Sequence, residues 1–93
     1  MSEHDWTRCV GPGWRALVTR AVAAIEAAGY QVEQVKEKFG TLRIYYMGAD
    51  VPEVDEAERE SGRVCEVCGE PGRMRKRNHW LMTRCDGCFE KGA

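Results

Sequence analysis

Between Trp14 and Ala28 the apolar positions fall on one helical face. Trp14, Leu17, Val18, Ala21, Val22, Ile25 and Ala28 recur at helical spacing, which predicts an amphipathic helix with a single buried stripe. The breaker cluster Gly11-Pro12-Gly13 precedes it, and Gly29 follows at the position that suits a left-handed C′ residue. The period then changes. Leu42, Ile44 and Tyr46 alternate with Thr41, Arg43 and Tyr45, the pattern of a half-buried strand. Val32 and Val35 mark an earlier strand whose phase is irregular, as a β-bulge would make it. Lys38-Phe39-Gly40-Thr41 supplies a turn between the two, with Gly40 free to take positive φ. Gln34, Lys36 and Arg43 are expected to face solvent. A short second helix is predicted from about Pro52 to Ser61-Gly62. Val54 and Ala57 form its thin apolar face, and Asp50 with Glu53 resembles a capping box.

The expected fold class is α+β: helix, β-hairpin, short helix, then a C-terminal module of different character. The organisation read from the chain is a flexible leader over residues 1–12, a helix-hairpin-helix unit over 13–62 and a cysteine module over 63–93. With 93 residues in all, the chain can bury only a modest core. Domains of this size often need a metal or a disulfide as a staple.

The last third supplies that staple. Cys65-Glu66-Val67-Cys68-Gly69 and Cys85-Asp86-Gly87-Cys88 are two pairs separated by the sixteen residues 69–84, within the range of a four-cysteine metal site. Two cysteines three apart can wrap a tight knuckle and present both sulfurs to one ion. Two such pairs close a tetrahedral thiolate shell, which is the structural and not the catalytic pattern. One structural zinc ion held by Cys65, Cys68, Cys85 and Cys88 is therefore expected. Iron in the same ligands is the competing metal. Five cysteines in a chain without a signal-peptide core or an apolar run of membrane length point to a reducing cytoplasm, with Cys9 left over. Between the pairs, Arg73-Met74-Arg75 and His79 to Thr83 are expected to pair as a hairpin with Lys76-Arg77-Asn78 at its tip. Knuckle, hairpin and a second pair opening a helix is a treble-clef order. Few residues follow Cys88, which keeps a two-knuckle zinc ribbon as the alternative.

Charge separates along the chain although the net is −1. The stretch Asp50–Glu60 is acidic and reads as a solvated helix face. Arg73, Arg75, Lys76, Arg77 and Arg84 lie in a stretch with no acid. Together with Trp80 they form a candidate surface for phosphates and a stacked base. No recognition helix for duplex readout is visible. The chain carries no phosphate-binding glycine loop, nucleophile elbow or open metal position, so it is not expected to be an enzyme.

Val32 to Gly40, followed by Leu42-Arg43-Ile44-Tyr45, resembles a segment of small phage, prophage and bacterial proteins that carry a four-cysteine end like Cys65–Gly69, Pro71-Gly72 and Trp80-Leu81 to Cys88. The resemblance spans about residues 14–88. It implies a zinc-binding end and a phage-related setting, and it carries no catalytic residue. Two functions follow as expectations. The first is a non-catalytic zinc-stabilised module whose basic hairpin contacts nucleic acid or a nucleoprotein. The second is a phage-encoded protein-interaction module that inhibits a host complex in an anti-defence role.

Overall fold

The computed structural model describes residues 4–91. It has the expected α+β order: α1 (Arg15–Ala27), β1 (Gln31–Lys38), β2 (Thr41–Met47), α2 (Pro52–Ser61), β3 (Arg73–Arg77), β4 (Trp80–Arg84) and a short α3 (Asp86–Glu90). Residues 4–12, expected within a leader, contain a 3-10 turn at Trp6–Cys9 capped by Asp5. Trp6 and Val10 from this segment pack against the core. Leader residues 1–3 and the last two residues of the cysteine module lie outside the described range.

The apolar stripe of α1 is buried as its period predicts, through Leu17, Val18, Ala21 and Ile25. It meets Val35, Leu42 and Ile44 from the sheet and Val51, Val54 and Ala57 from α2 and its approach. The helix closes with a Schellman motif. Tyr30 N–H donates to Ile25 O (3.1 Å), Gly29 N–H donates to Glu26 O (3.0 Å), and Gly29 takes φ +88°.

Strands β1 and β2 pair antiparallel through the two-residue loop Phe39-Gly40, with Lys38 opposite Thr41 and Val35 opposite Ile44. The register shifts between Val32 and Gln34. The extra residue is Glu33, and it is the bulge that the irregular valine spacing predicts. The outer edge of β2 is closed by α2. Leu42 N–H donates to Ser61 Oγ (2.9 Å) and Ile44 N–H to Glu58 Oε2 (2.9 Å). Side chains of a helix thus satisfy backbone donors that an open strand edge would present to another chain. Ser61 is fully buried and donates its own proton to Glu58 O (2.6 Å). Ser61→Ala should therefore cost about 1–3 kcal/mol, the penalty of a buried unpaired N–H, read as a lower denaturation midpoint with an unchanged m-value.

One local expectation is corrected. Asp50 does not cap α2. Val51 is the N-cap residue, no side chain caps the helix, and Pro52 occupies the first turn. Pro52 restricts Val51 to extended backbone, which fixes the start of the helix one residue later than a capping box would. Glu53 and Asp55 still place negative charge in the first turn, where the helix dipole favours it.

The unit over 13–62 and the cysteine module meet along a seam of hydrogen bonds. Gly13 N–H donates to Glu66 O (2.8 Å), Trp14 Nε1 to Val64 O (2.8 Å) and Thr83 Oγ1 to Gly40 O (2.6 Å). Gly13 permits this approach. A Cβ there would lie 1.9 Å from Cys65 O and 2.6 Å from Gly69 N, both backbone atoms that cannot swing aside. Among the described residues, no helix is long and apolar enough to cross a membrane.

Candidate metal centre and the hairpin beside it

The first cysteine pair sits on a knuckle. Cys65 N–H donates to Glu70 O (2.8 Å) and Gly69 N–H returns to Cys65 O (3.0 Å). Gly69 turns the chain with φ +82°. The second pair sits at the start of α3, where Cys85 is the N-cap residue and its sulfur accepts from Cys88 N–H (3.4 Å). Knuckle, hairpin β3–β4 and helix follow one another, so the second pair opens a helix and not a second knuckle. The five residues Asp86–Glu90 form the turn of α3 that carries Cys88.

The sulfurs of Cys65, Cys68, Cys85 and Cys88 all lie within 4.8 Å of one another. Those of Cys68 and Cys85 are 3.6 Å apart, close to the ~3.8 Å edge of a tetrahedron built on 2.3 Å metal–sulfur bonds. The donors therefore fit one tetrahedral ion and leave it no open position. Cys9 is outside this cluster. Electrostatics within the cluster are uneven. Burial pushes the Cys65 thiol up, but the N–H groups of Cys68, Cys85 and Val67 outweigh it and hold the pKa down to about 6. Cys88 is pushed up to about 12 by its hydrogen bond with Cys85 and by burial, with Cys65 and Cys68 adding to both. Crowded sulfurs resist accumulating charge, and a bound dication removes that resistance.

The hairpin divides the basic residues into two sets. In β3, Arg75 and Arg77 turn toward α3. Arg75 binds the Asp86 carboxylate through Nη2, donates from Nε to Arg84 O (3.0 Å) and lies 4.8 Å from the Phe89 ring centre. Arg77 donates to Phe89 O (2.7 Å) and sits 4.1 Å over the same ring. The Arg75 hydrogen bond and charge, with the Arg73 charge behind them, hold the Asp86 carboxyl below its ordinary range. In β4, Arg84 is mostly buried and pairs with Glu66 at 3.3 Å. These three arginines clamp α3 and the knuckle onto the hairpin, so each already has a partner within the fold. Arg73, Lys76 and Trp80 remain outside. Arg73 is only 3.8 Å from Asp86 and its side chain is 74% exposed, Lys76 is exposed, and Trp80 is 65% exposed.

Strand β3 runs on through Lys76 and Arg77, which were expected at the tip, and His79 leaves the strand for the turn, so that Arg77 lies opposite Trp80 and Asn78-His79 form the loop. Asn78 and His79 both take positive φ, 50° and 68°, as a two-residue type I′ turn requires. This register brings the tip of the second hairpin beside the tip of the first. A cleft of about 560 Å³ opens between them, walled by Lys38 and Phe39 on one side and by Lys76, His79, Trp80 and Leu81 on the other. Lys38 and Phe39 were not among the expected binding residues, because their nearness to Trp80 is a tertiary fact. One local signal was available: Phe39 occupies a turn position where Asn, Asp or Gly is the rule. No family model, curated protein or solved structure matches this chain, and its function must be read from its own residues.

Proposed function

We propose that this protein is a non-catalytic binding module, stabilised by one zinc ion, whose β3–β4 hairpin contacts nucleic acid or a nucleoprotein. Zinc is the metal because four thiolates at tetrahedral spacing form a closed structural shell. The observation that carries the rest is the exposed Trp80 with Lys76 and Arg73 on the same hairpin. That hairpin runs between the two cysteine pairs, so a bound metal holds both its ends. A preorganised loop loses little entropy on binding. Its aromatic face and cations are the two parts from which single-strand sites are built. The phage-like setting implied by residues 32–45 and the cysteine end agrees with either a nucleic-acid or a host-complex partner.

The test is fluorescence anisotropy with labelled single strands and duplexes across a salt series. With about three cations engaged (Arg73, Lys76 and Lys38), log affinity for a single strand should fall with log salt at a slope near −2, from ~0.7 per phosphate. Arg73→Glu with Lys76→Glu should remove binding at unchanged zinc content, since Arg75 is the near partner of Asp86 and Arg73 reaches that carboxylate only at 3.8 Å from an exposed position. Failure of the wild-type protein to bind single or double strands at low salt would overturn the reading. A partner held without salt dependence would instead favour the protein-interaction role in inhibiting a host complex, for which Tyr45 and Met47 offer exposed apolar surface on the first hairpin.

A further inference from the structure

We propose that the cleft between the two hairpin tips seats an unpaired nucleobase, so that the nucleic acid is taken as a single strand. This rests on the nucleic-acid reading above and adds a seat and a strandedness to it. Phe39 and Trp80 stand on opposite walls, each 65% exposed. Two large aromatics on neighbouring tips leave their apolar faces in water, and the folded core does not account for them.

Backbone conformation points to the same place. Phe39 takes φ +54°, a region disfavoured for a bulky side chain. An Asn-Gly loop would close the first hairpin without that penalty. Residues that break a local rule concentrate at working sites, where another gain compensates. Here that residue is Phe39, and it borders the cleft.

Charge selects the occupant. Lys38 and Lys76 flank the aromatics, and Lys38 Nζ lies 5.5 Å from the Phe39 ring centre. The acid on the wall is Glu37. Its carboxylate is engaged with the turn, accepting from Gly40 N–H at 2.6 Å. A flat π-system with a phosphate on either side matches this lining, and only an unpaired base exposes its face in that way. The spacing between the walls is set by the fold. Thr83 Oγ1 donates to Gly40 O (2.6 Å), and a Cβ on Gly40 would meet Met82 N at 3.0 Å, so the first tip is fixed against strand β4, which carries Trp80.

The decisive variant is Phe39→Asn, which installs the favoured turn residue and deletes one wall. It should raise the melting temperature by a few degrees, keep its zinc, and weaken binding of a short fluorescein-labelled oligodeoxythymidine by roughly 5- to 150-fold, the loss of one stacked base. Trp80→Ala should weaken it over the same range. Wild-type protein should bind that strand more tightly than a duplex of equal length. If Phe39→Asn and Trp80→Ala keep full affinity while Arg73→Glu with Lys76→Glu lose it, the seat is wrong and the basic-hairpin reading stands. Preference for duplex would also overturn the seat. If no strand binds at all, both readings fail together.

Discussion

Cys65→Ser is expected to unfold the cysteine module and leave the helix-hairpin-helix unit assembled. Structural zinc contributes about 10–16 kcal/mol in small four-ligand modules, as much as the whole stability of a typical domain. The module has little else to hold it. Its apolar interior among the described residues is Cys65 and Met82 with the buried Thr83, and the Arg75, Arg77 and Arg84 contacts presuppose that α3 and the knuckle are in place. The other unit keeps its own core from Trp14 to Ala57. Helix content should therefore fall only slightly, because α1 and α2 supply 13 and 10 residues and α3 only 5. Backbone NMR should show the loss, with amides of residues 63–91 collapsing to unfolded shifts. Chelation should reproduce it, and so should acid, since thiolates and not thiols bind the metal and protons compete for them as pH falls. Dispersed module amides after complete metal removal would refute the structural role.

Periodicity made the first unit legible. A stripe at helical spacing, a strict alternation over Leu42, Ile44 and Tyr46, and a broken valine phase at Glu33 each reflect local geometry that acts within a few residues. The cysteine pairs were legible for the same reason, because a knuckle is a local turn and two pairs complete one shell. The arginines were not. Their clustering in sequence is equally compatible with a solvated face and with a clamp. Alternation along β3 alternates the residues between faces, but which face meets α3 depends on where Phe89 and Asp86 arrive after the second cysteine pair. Arg75 and Arg77 share that face, whereas Lys76 between them does not. The cleft was still less legible, since it joins residues of two hairpins whose nearness depends on Thr83 reaching Gly40. Only the misfit of Phe39 with its turn showed in the sequence.

Trp14→Ala should be the most damaging substitution outside the cysteines, lowering stability by about 3–5 kcal/mol for the cavity alone. Trp14 is fully buried and works on both sides of the seam. Its ring packs into the cluster of Leu17, Val18 and Ala21, while its Nε1–H donates to Val64 O, one residue before the first metal-binding cysteine. The partner atom matters because removing a donor leaves a carbonyl unpaired, which adds about 1–3 kcal/mol where water cannot reach it. Trp14→Phe separates the two effects. Phenylalanine keeps most of the packing and lacks the donor, so it should lose roughly that smaller amount. Both variants should bind metal with full stoichiometry, because the ligand sulfurs are untouched. They should release it faster to a chelator, since the knuckle is no longer anchored at Val64. Urea denaturation followed by circular dichroism gives the stabilities, and a colorimetric chelator gives the release rates. If Trp14→Phe matched wild type in both, the Val64 hydrogen bond would carry no load between the units. The seam would then rest on the backbone contact of Gly13 with Glu66 and on Thr83 with Gly40.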